Sequence, residues 1–221
     1  MSAVAYLSQL NLMLSALGGG LAVGASIKVS EAYGAGDFKL VKRRVSTLFA
    51  LCGILGAGIL LILVPFAPQF LRLARTPEEF ITEGTTYFIL DLFGIVLNFF
   101  NSVYIAIERA RGNSQRILHL NMGVIVVKLA LTALFVYVFH SGINMIAVAT
   151  IISQLLMFSA AIYHLSRKGN AFSFSLRSIS LKRRVVRPMV LLSVPVIIEK
   201  MAFSFGKVVV NSMCTIYSLL P

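Results

Sequence analysis

Glu199 lies four residues after Pro195 in the apolar run Val194-Pro195-Val196-Ile197-Ile198-Glu199. A proline frees a backbone carbonyl and bends a helix, and a carboxylate beside such a break can bind a proton or a sodium ion. Without a functional role, Glu199 would be part of a neutralised surface with Lys200 or Lys207. Asn98 and Asn101 sit three apart in another apolar stretch, a spacing that suits helix–helix hydrogen bonding or the wall of a polar cavity. Lys128 and Gln154 project from two further apolar runs. Lys128 is too deep for its stem to reach an interface easily, so it is expected either buried against a polar partner or neutral. A charge at a bilayer centre costs at least about 2.5–3.5 kcal/mol, which drives such groups toward a protein interior or a water-filled path. Lys28 and Glu31, three apart near a span end, read as a structural ion pair, and Asp91 reads as structural near the opposite surface.

The motifs of soluble catalysis are missing: the sequence holds no HExxH, no GxSxG, no P-loop and no aspartate-rich diphosphate motif. His119, His140 and His164 fall near different span ends, and Cys52 and Cys214 have no partners at metal-ligand spacing. No enzyme, metal or cofactor is therefore expected. Gly18-Gly19-Gly20 followed by Gly24 would let helices approach closely.

The elements that must position these groups are membrane helices. Of 221 residues, 58% are hydrophobic and only 13% charged, against roughly 25% charged in an average globular domain. A soluble fold could not hide so much apolar surface. Six runs approach the roughly 20 apolar residues that a bilayer core requires: 3–30, 46–70, 85–107, 118–139, 143–165 and 188–212. Turn signals separate them at Gly34-Ala35-Gly36-Asp37, Arg75-Thr76-Pro77, Gly112-Asn113-Ser114 and Ser141-Gly142-Ile143-Asn144, and Pro65 and Pro68 are expected to kink or stop the second run. The net charge of +12 sits mainly in alternate connections: 34–44, 108–117 and 166–187 hold 4, 3 and 7 basic residues. This marks those loops as cytoplasmic and speaks for a lipid bilayer partner rather than nucleic acid. Tyr33, Tyr87, Tyr104, Tyr137 and Tyr163 are expected to anchor span ends at the interface. The fold class is all-α, a polytopic bundle of about six transmembrane spans. Its N-terminus lies outside, which suggests a preceding span missing from this sequence.

Several motifs then resemble one family. Gly24-Ala25-Ser26 with Val29-Ser30-Glu31-Ala32-Tyr33-Gly34-Ala35-Gly36-Asp37 is similar to the second-helix exit of the multidrug and toxic compound extrusion (MATE) transporters. Arg109-Ala110-Arg111-Gly112-Asn113-Ser114-Gln115 resembles the turn after their fourth helix, and Val138-Phe139-His140-Ser141-Gly142 with Ala149-Thr150-Ile151-Ile152-Ser153-Gln154 resembles their helix five to six signature. The resemblance runs from about residue 18 to residue 213, with the motifs in family order. It implies helices two to seven of a twelve-helix, two-lobed transporter: an N-terminal lobe at 1–165, a basic cytoplasmic linker at 166–187 and the first helix of the next lobe at 188–221. It further implies a plasma-membrane antiporter exporting small organic cations or amphipathic compounds against protons or sodium ions, completed by a second lobe or partner chain. Under that resemblance Glu199 is the ion-coupling candidate, and Asn98, Asn101, Lys128 and Gln154 are cavity-lining candidates. Lys128 and Thr132 stand where many relatives carry an Asn and an Asp, and Val96 replaces a helix-four proline. The alternatives are a lipid-linked oligosaccharide flippase of the same superfamily and a non-transporting remnant.

Overall fold

The computed structural model describes residues 3–73, 81–138, 143–166, 172 and 178–217. Helix α1 spans Ala3–Gly34, α2 Phe38–Leu73, α3 Ile81–Ala110, α4 Ser114–Ala133, α5 Ile143–Ser166 and α6 Arg183–Tyr217; a π-helical turn over Leu134–Val138 extends α4. Each helix contains a segment long and apolar enough to cross a membrane, from Leu10–Gly34 through Arg183–Lys207. The six expected spans are therefore present.

The helices overrun the spans at their basic ends. Helix α2 begins at Phe38, eight residues before the apolar run, and carries Lys39, Lys42, Arg43 and Arg44 on its first turns. Hydropathy marks where lipid begins, whereas the helix continues into the headgroup layer because its backbone bonds are satisfied there too. Pro65 and Pro68 do not stop α2, which continues through both to Leu73. The turn signals at Arg75-Thr76-Pro77 and Ser141-Gly142 lie outside the described residues.

Two turns at the basic end share one construction. After α1, the Gly36 amide donates to the Tyr33 carbonyl (3.0 Å) and the Asp37 amide to the Ala32 carbonyl (3.1 Å), with Gly36 at φ +72°. After α3, the Gly112 amide donates to Arg109 (3.0 Å) and the Asn113 amide to Glu108 (3.0 Å), with Gly112 at φ +83°. Both are Schellman closures, in which a left-handed residue lets two orphan carbonyls find donors. Asp37 then caps α2, its Oδ1 accepting from the Leu40 amide at 3.0 Å.

Helix α1 is the common partner, packing against α2, α3 and α6, while α5 closes on α3 and α4 leans mainly on α5. Its glycines explain the contact. A methyl group on Gly20 would come within 2.6 Å of the Ile197 Cγ1 and 2.9 Å of its Cα, and one on Gly24 would strike the Ser193 backbone. One on Gly18 would collide with the Phe99 ring. Between Gly20 and Gly24, the buried Ser193 hydroxyl reaches the Leu21 carbonyl at 3.2 Å and the Met189 carbonyl at 2.8 Å. Small residues at close-packed membrane interfaces act in this way because lipid supplies no hydrophobic force between helices. On α4, by contrast, Leu118, Met122, Ile125 and Leu129 form an exposed apolar stripe at helical spacing.

Gly24→Val should therefore lower the unfolding free energy of the detergent-purified protein by about 1–3 kcal/mol, the usual cost of overpacking. Gly58→Val serves as the control, since nothing lies within 4 Å of a methyl group there. Equal stability of the two variants would show that α1 and α6 do not meet as described.

Candidate functional site

The polar residues within the spans separate into two layers. The layer nearer the basic end is the bond between α3 and α5. The Asn101 side-chain amide donates to the Gln154 Oε1 at 2.5 Å and to the Gln154 carbonyl at 3.1 Å. Asn101 is 2% exposed, and its Oδ1 has no partner among the described residues. Two of the four cavity-lining candidates thus meet each other. Asn98, one turn away on α3, is half-buried.

The second layer lies toward the other surface. There the Asn11 amide on α1 donates to the Asp91 carboxylate on α3 at 2.6 Å, and the Ser15 hydroxyl donates to the Asn11 Oδ1 at 3.2 Å. Lys128, on α4, is exposed, whereas the sequence led us to expect it either buried against a polar partner or neutral; α4 carries it on a face that no described helix covers. Asp91, read from the sequence as structural, is tied to α1 through Asn11. Asn11 and Ser15 were not singled out from the sequence, although their four-residue spacing on an apolar helix was a usable signal.

Ser15 also opens onto a cleft of about 630 Å³ between α1 and α6. Leu12 and Ala16 line its α1 side; Glu199, Lys200 and Phe203 line its α6 side. Glu199 is exposed on this wall and makes no hydrogen bond or ion pair among the described residues. Lys207 does not neutralise it: the Lys207 ammonium lies 4.9 Å from the Phe203 ring centroid, a cation–π contact. At 1.5 Å per residue, Glu199 sits about 24 Å along α6 from Arg183, deep in the bilayer region.

At the basic end the charges are engaged. Glu108, fully buried, accepts from Arg111 (3.3 Å), Asn113 (3.3 Å) and Arg116 (3.4 Å). Lys28 pairs with Glu31 at 2.5 Å, the structural pair the spacing implied, and the Lys28 carbonyl accepts from Arg44. Tyr104, expected as an interfacial anchor, is instead fully buried, while Tyr137 and Tyr163 are exposed at span ends. A residue near a helix end faces lipid only if no neighbouring helix covers it, and α3 is covered on several sides.

Replacing Asn101 by Leu removes the only described partner of the Gln154 side chain. It should cost about 1–3 kcal/mol of stability, the penalty for leaving a buried polar group unpaired, measured by thermal unfolding. The double variant Asn101→Leu with Gln154→Leu should recover part of that loss.

Comparison with known proteins places this architecture. A family model described as MatE matches residues 1–134. Across 205 residues the chain is 24% identical to the "Probable multidrug resistance protein YoeA" of Bacillus subtilis (strain 168), covering 90% of this chain and 44% of that protein. Over 94 residues it is 33% identical to the "Probable multidrug resistance protein YpnP" of the same organism, covering 42% of this chain and 21% of that one. Two solved structures, an inward-facing and an outward-facing conformation of a multidrug resistance MATE family transporter of the MOP superfamily, share the fold. Their TM-scores are 0.83 and 0.84 at 22% and 23% identity, over 92% and 95% of this chain and 46% and 47% of theirs. The chain spans less than half the length of these relatives. Family model, relatives and fold agree: the chain belongs to the MatE family of transporters.

Proposed function

We propose that this chain supplies one lobe, and the first helix of the next, of a proton- or sodium-coupled antiporter that exports drugs or toxic organic cations by alternating access. The observation that carries the reading is Glu199, a carboxylate without an ion-pair partner among the described residues, deep in a membrane helix and facing a cleft. In the proposed division, residues 1–165 form the N-terminal lobe, 166–187 a cytoplasmic linker and 188–221 the start of the second lobe. The cleft between α1 and α6 then lies where the lobes meet. The names of the curated relatives and the opposed conformations of the solved transporters support export and alternating access.

The chemistry follows from the cost of an uncompensated charge. While Glu199 is ionised, closing the cleft would strand a carboxylate away from water, so closure is favoured only when a cation occupies it. A proton, a sodium ion or an organic cation can each fill that role, and their competition for one carboxylate couples inward ion movement to outward export. Asn98, Asn101 and Gln154 line the polar interior of the lobe, with the Asn101 amide donating to Gln154, while Lys128 lies on the exposed face of α4. Under the family resemblance, Lys128 stands where many relatives carry an Asn and Thr132 where they carry an Asp. The basic loops face the cytoplasm, at the plasma membrane.

Glu199→Gln, in the whole protein that contains this chain reconstituted into vesicles, should reduce dye or drug export driven by an imposed ion gradient. The expected loss is about tenfold or more, equivalent to roughly 1.4 kcal/mol of ion binding. Glu199→Asp should retain most activity. Unimpaired gradient-driven export by the Gln variant would remove Glu199 from the mechanism.

A further inference from the structure

We propose that an apolar pocket between α2, α3 and α5 binds one acyl chain of an anionic phospholipid, whose headgroup is held by basic residues at the same end of the bundle. The pocket encloses about 400 Å³, within the size range of small-molecule sites. Phe49 and Gly53 of α2, Phe100 of α3, and Phe158 and Leu165 of α5 form its walls, and Ile179 of the linker covers it. Ser166 is the only polar side chain among its described lining residues. The Phe49 and Phe100 rings lie nearly parallel at 6.3 Å, and Phe158 tilts against Phe100 at 5.6 Å. Such a cavity offers a water molecule one polar side chain at most and favours a hydrocarbon occupant.

Its depth fits a lipid tail. Phe158 is eight residues, about 12 Å, from the end of α5 at Ser166, and Phe49 is eleven residues, about 16 Å, from the start of α2. The pocket therefore begins at headgroup level and reaches into the acyl layer. Its mouth is positively charged. Lys42 precedes Phe49 by two helical turns on the same face of α2. The Ser180 amide donates to the Thr47 hydroxyl at 3.1 Å, which pins Ile179 over the pocket and brings the exposed Lys182, Arg183 and Arg184 beside it. The carboxylates at this end are already engaged: Glu31 by Lys28, Asp37 as the cap of α2, and Glu108 by Arg111 and Arg116. The surplus of positive charge therefore favours an anionic headgroup. The proposal depends on the membrane-spanning architecture and not on Glu199 or transport.

Native mass spectrometry of the purified full protein, with phosphatidylglycerol and phosphatidylcholine of matched acyl chains, tests it. Phosphatidylglycerol should be retained about tenfold over phosphatidylcholine at equal concentration. Gly53→Leu should abolish retention by filling the pocket; a methyl group at Gly53 meets only ordinary contacts, the nearest the Phe100 ring at 3.7 Å, so the fold should survive. Gly58→Leu, on the same helix but in open space, should retain the lipid. Neutralising Lys42, Lys182, Arg183 and Arg184 to Gln should bring the two lipids to near parity, and Glu199→Gln should change nothing. Equal retention of both lipids by the unmodified protein, or undiminished retention by Gly53→Leu, would overturn the proposal.

Discussion

The close approach of α1 to α6 and α3 is the constraint on which the rest of the bundle depends. In lipid, two apolar helices gain nothing from hiding apolar surface together, so their association relies on dispersion, hydrogen bonds and fit. Gly18, Gly20 and Gly24 remove the side chains that would hold α1 off Phe99, Ile197 and Ser193. The Ser193 hydroxyl then reaches the Leu21 carbonyl across the interface. With α1 seated between α3 and α6, Asn11 can reach Asp91 on one side while Ser15 opens on the Glu199 cleft on the other. The polar groups therefore owe their positions to residues that carry no chemistry.

Polarity is graded along the bundle. At the basic end, ion pairs and capped turns tie helices together within the headgroup layer, where Glu108 gathers two donors from the α3–α4 turn and a third from the first turn of α4. Next, the Asn101 amide ties α3 to the Gln154 side chain and carbonyl on α5. Beyond it, Asp91, Lys128 and Glu199 bring formal charges into a region that also holds the cleft. A hydrogen bond between two packed helices favours rigidity, whereas a carboxylate facing open volume is free to exchange partners. In the proposed MatE antiporter, the first would hold the lobe in shape and the second would change occupancy between conformations.

Much of this was legible in the sequence because bilayer thickness imposes a length on every span, and positive residues gather at one side. The six helices, the two glycine turns and the depth of Glu199 follow from those rules, and the glycine run predicted the close contact it makes. What was missed depends on which face of a helix another helix covers. The partner of Asp91, Asn11, is eighty residues away and carried no signal near it in the sequence. Lys128 was expected to be buried against a polar partner or neutral, yet α4 presents it on an uncovered face, and Tyr104 was expected at the interface, yet α3 is enclosed around it. Pro65 and Pro68 were expected to kink or stop α2, which continues through both; a membrane helix tolerates prolines when surrounding groups satisfy the freed carbonyls. Span hydropathy is nearly independent of rotation about the helix axis, so these facings had no strong signature.

The most direct test of the central role of α1 is a double-mutant cycle between Gly18 and Phe99, read as unfolding free energy in detergent. If the glycine is needed because the Phe99 ring occupies the space of a side chain, Gly18→Ala and Phe99→Ala should couple favourably. The double variant should then be more stable than the sum of the two single losses predicts, by about 0.5–3 kcal/mol. Strictly additive losses would mean that α1 and α3 do not meet through this contact, and that the placement of the polar groups on α1 needs a different explanation.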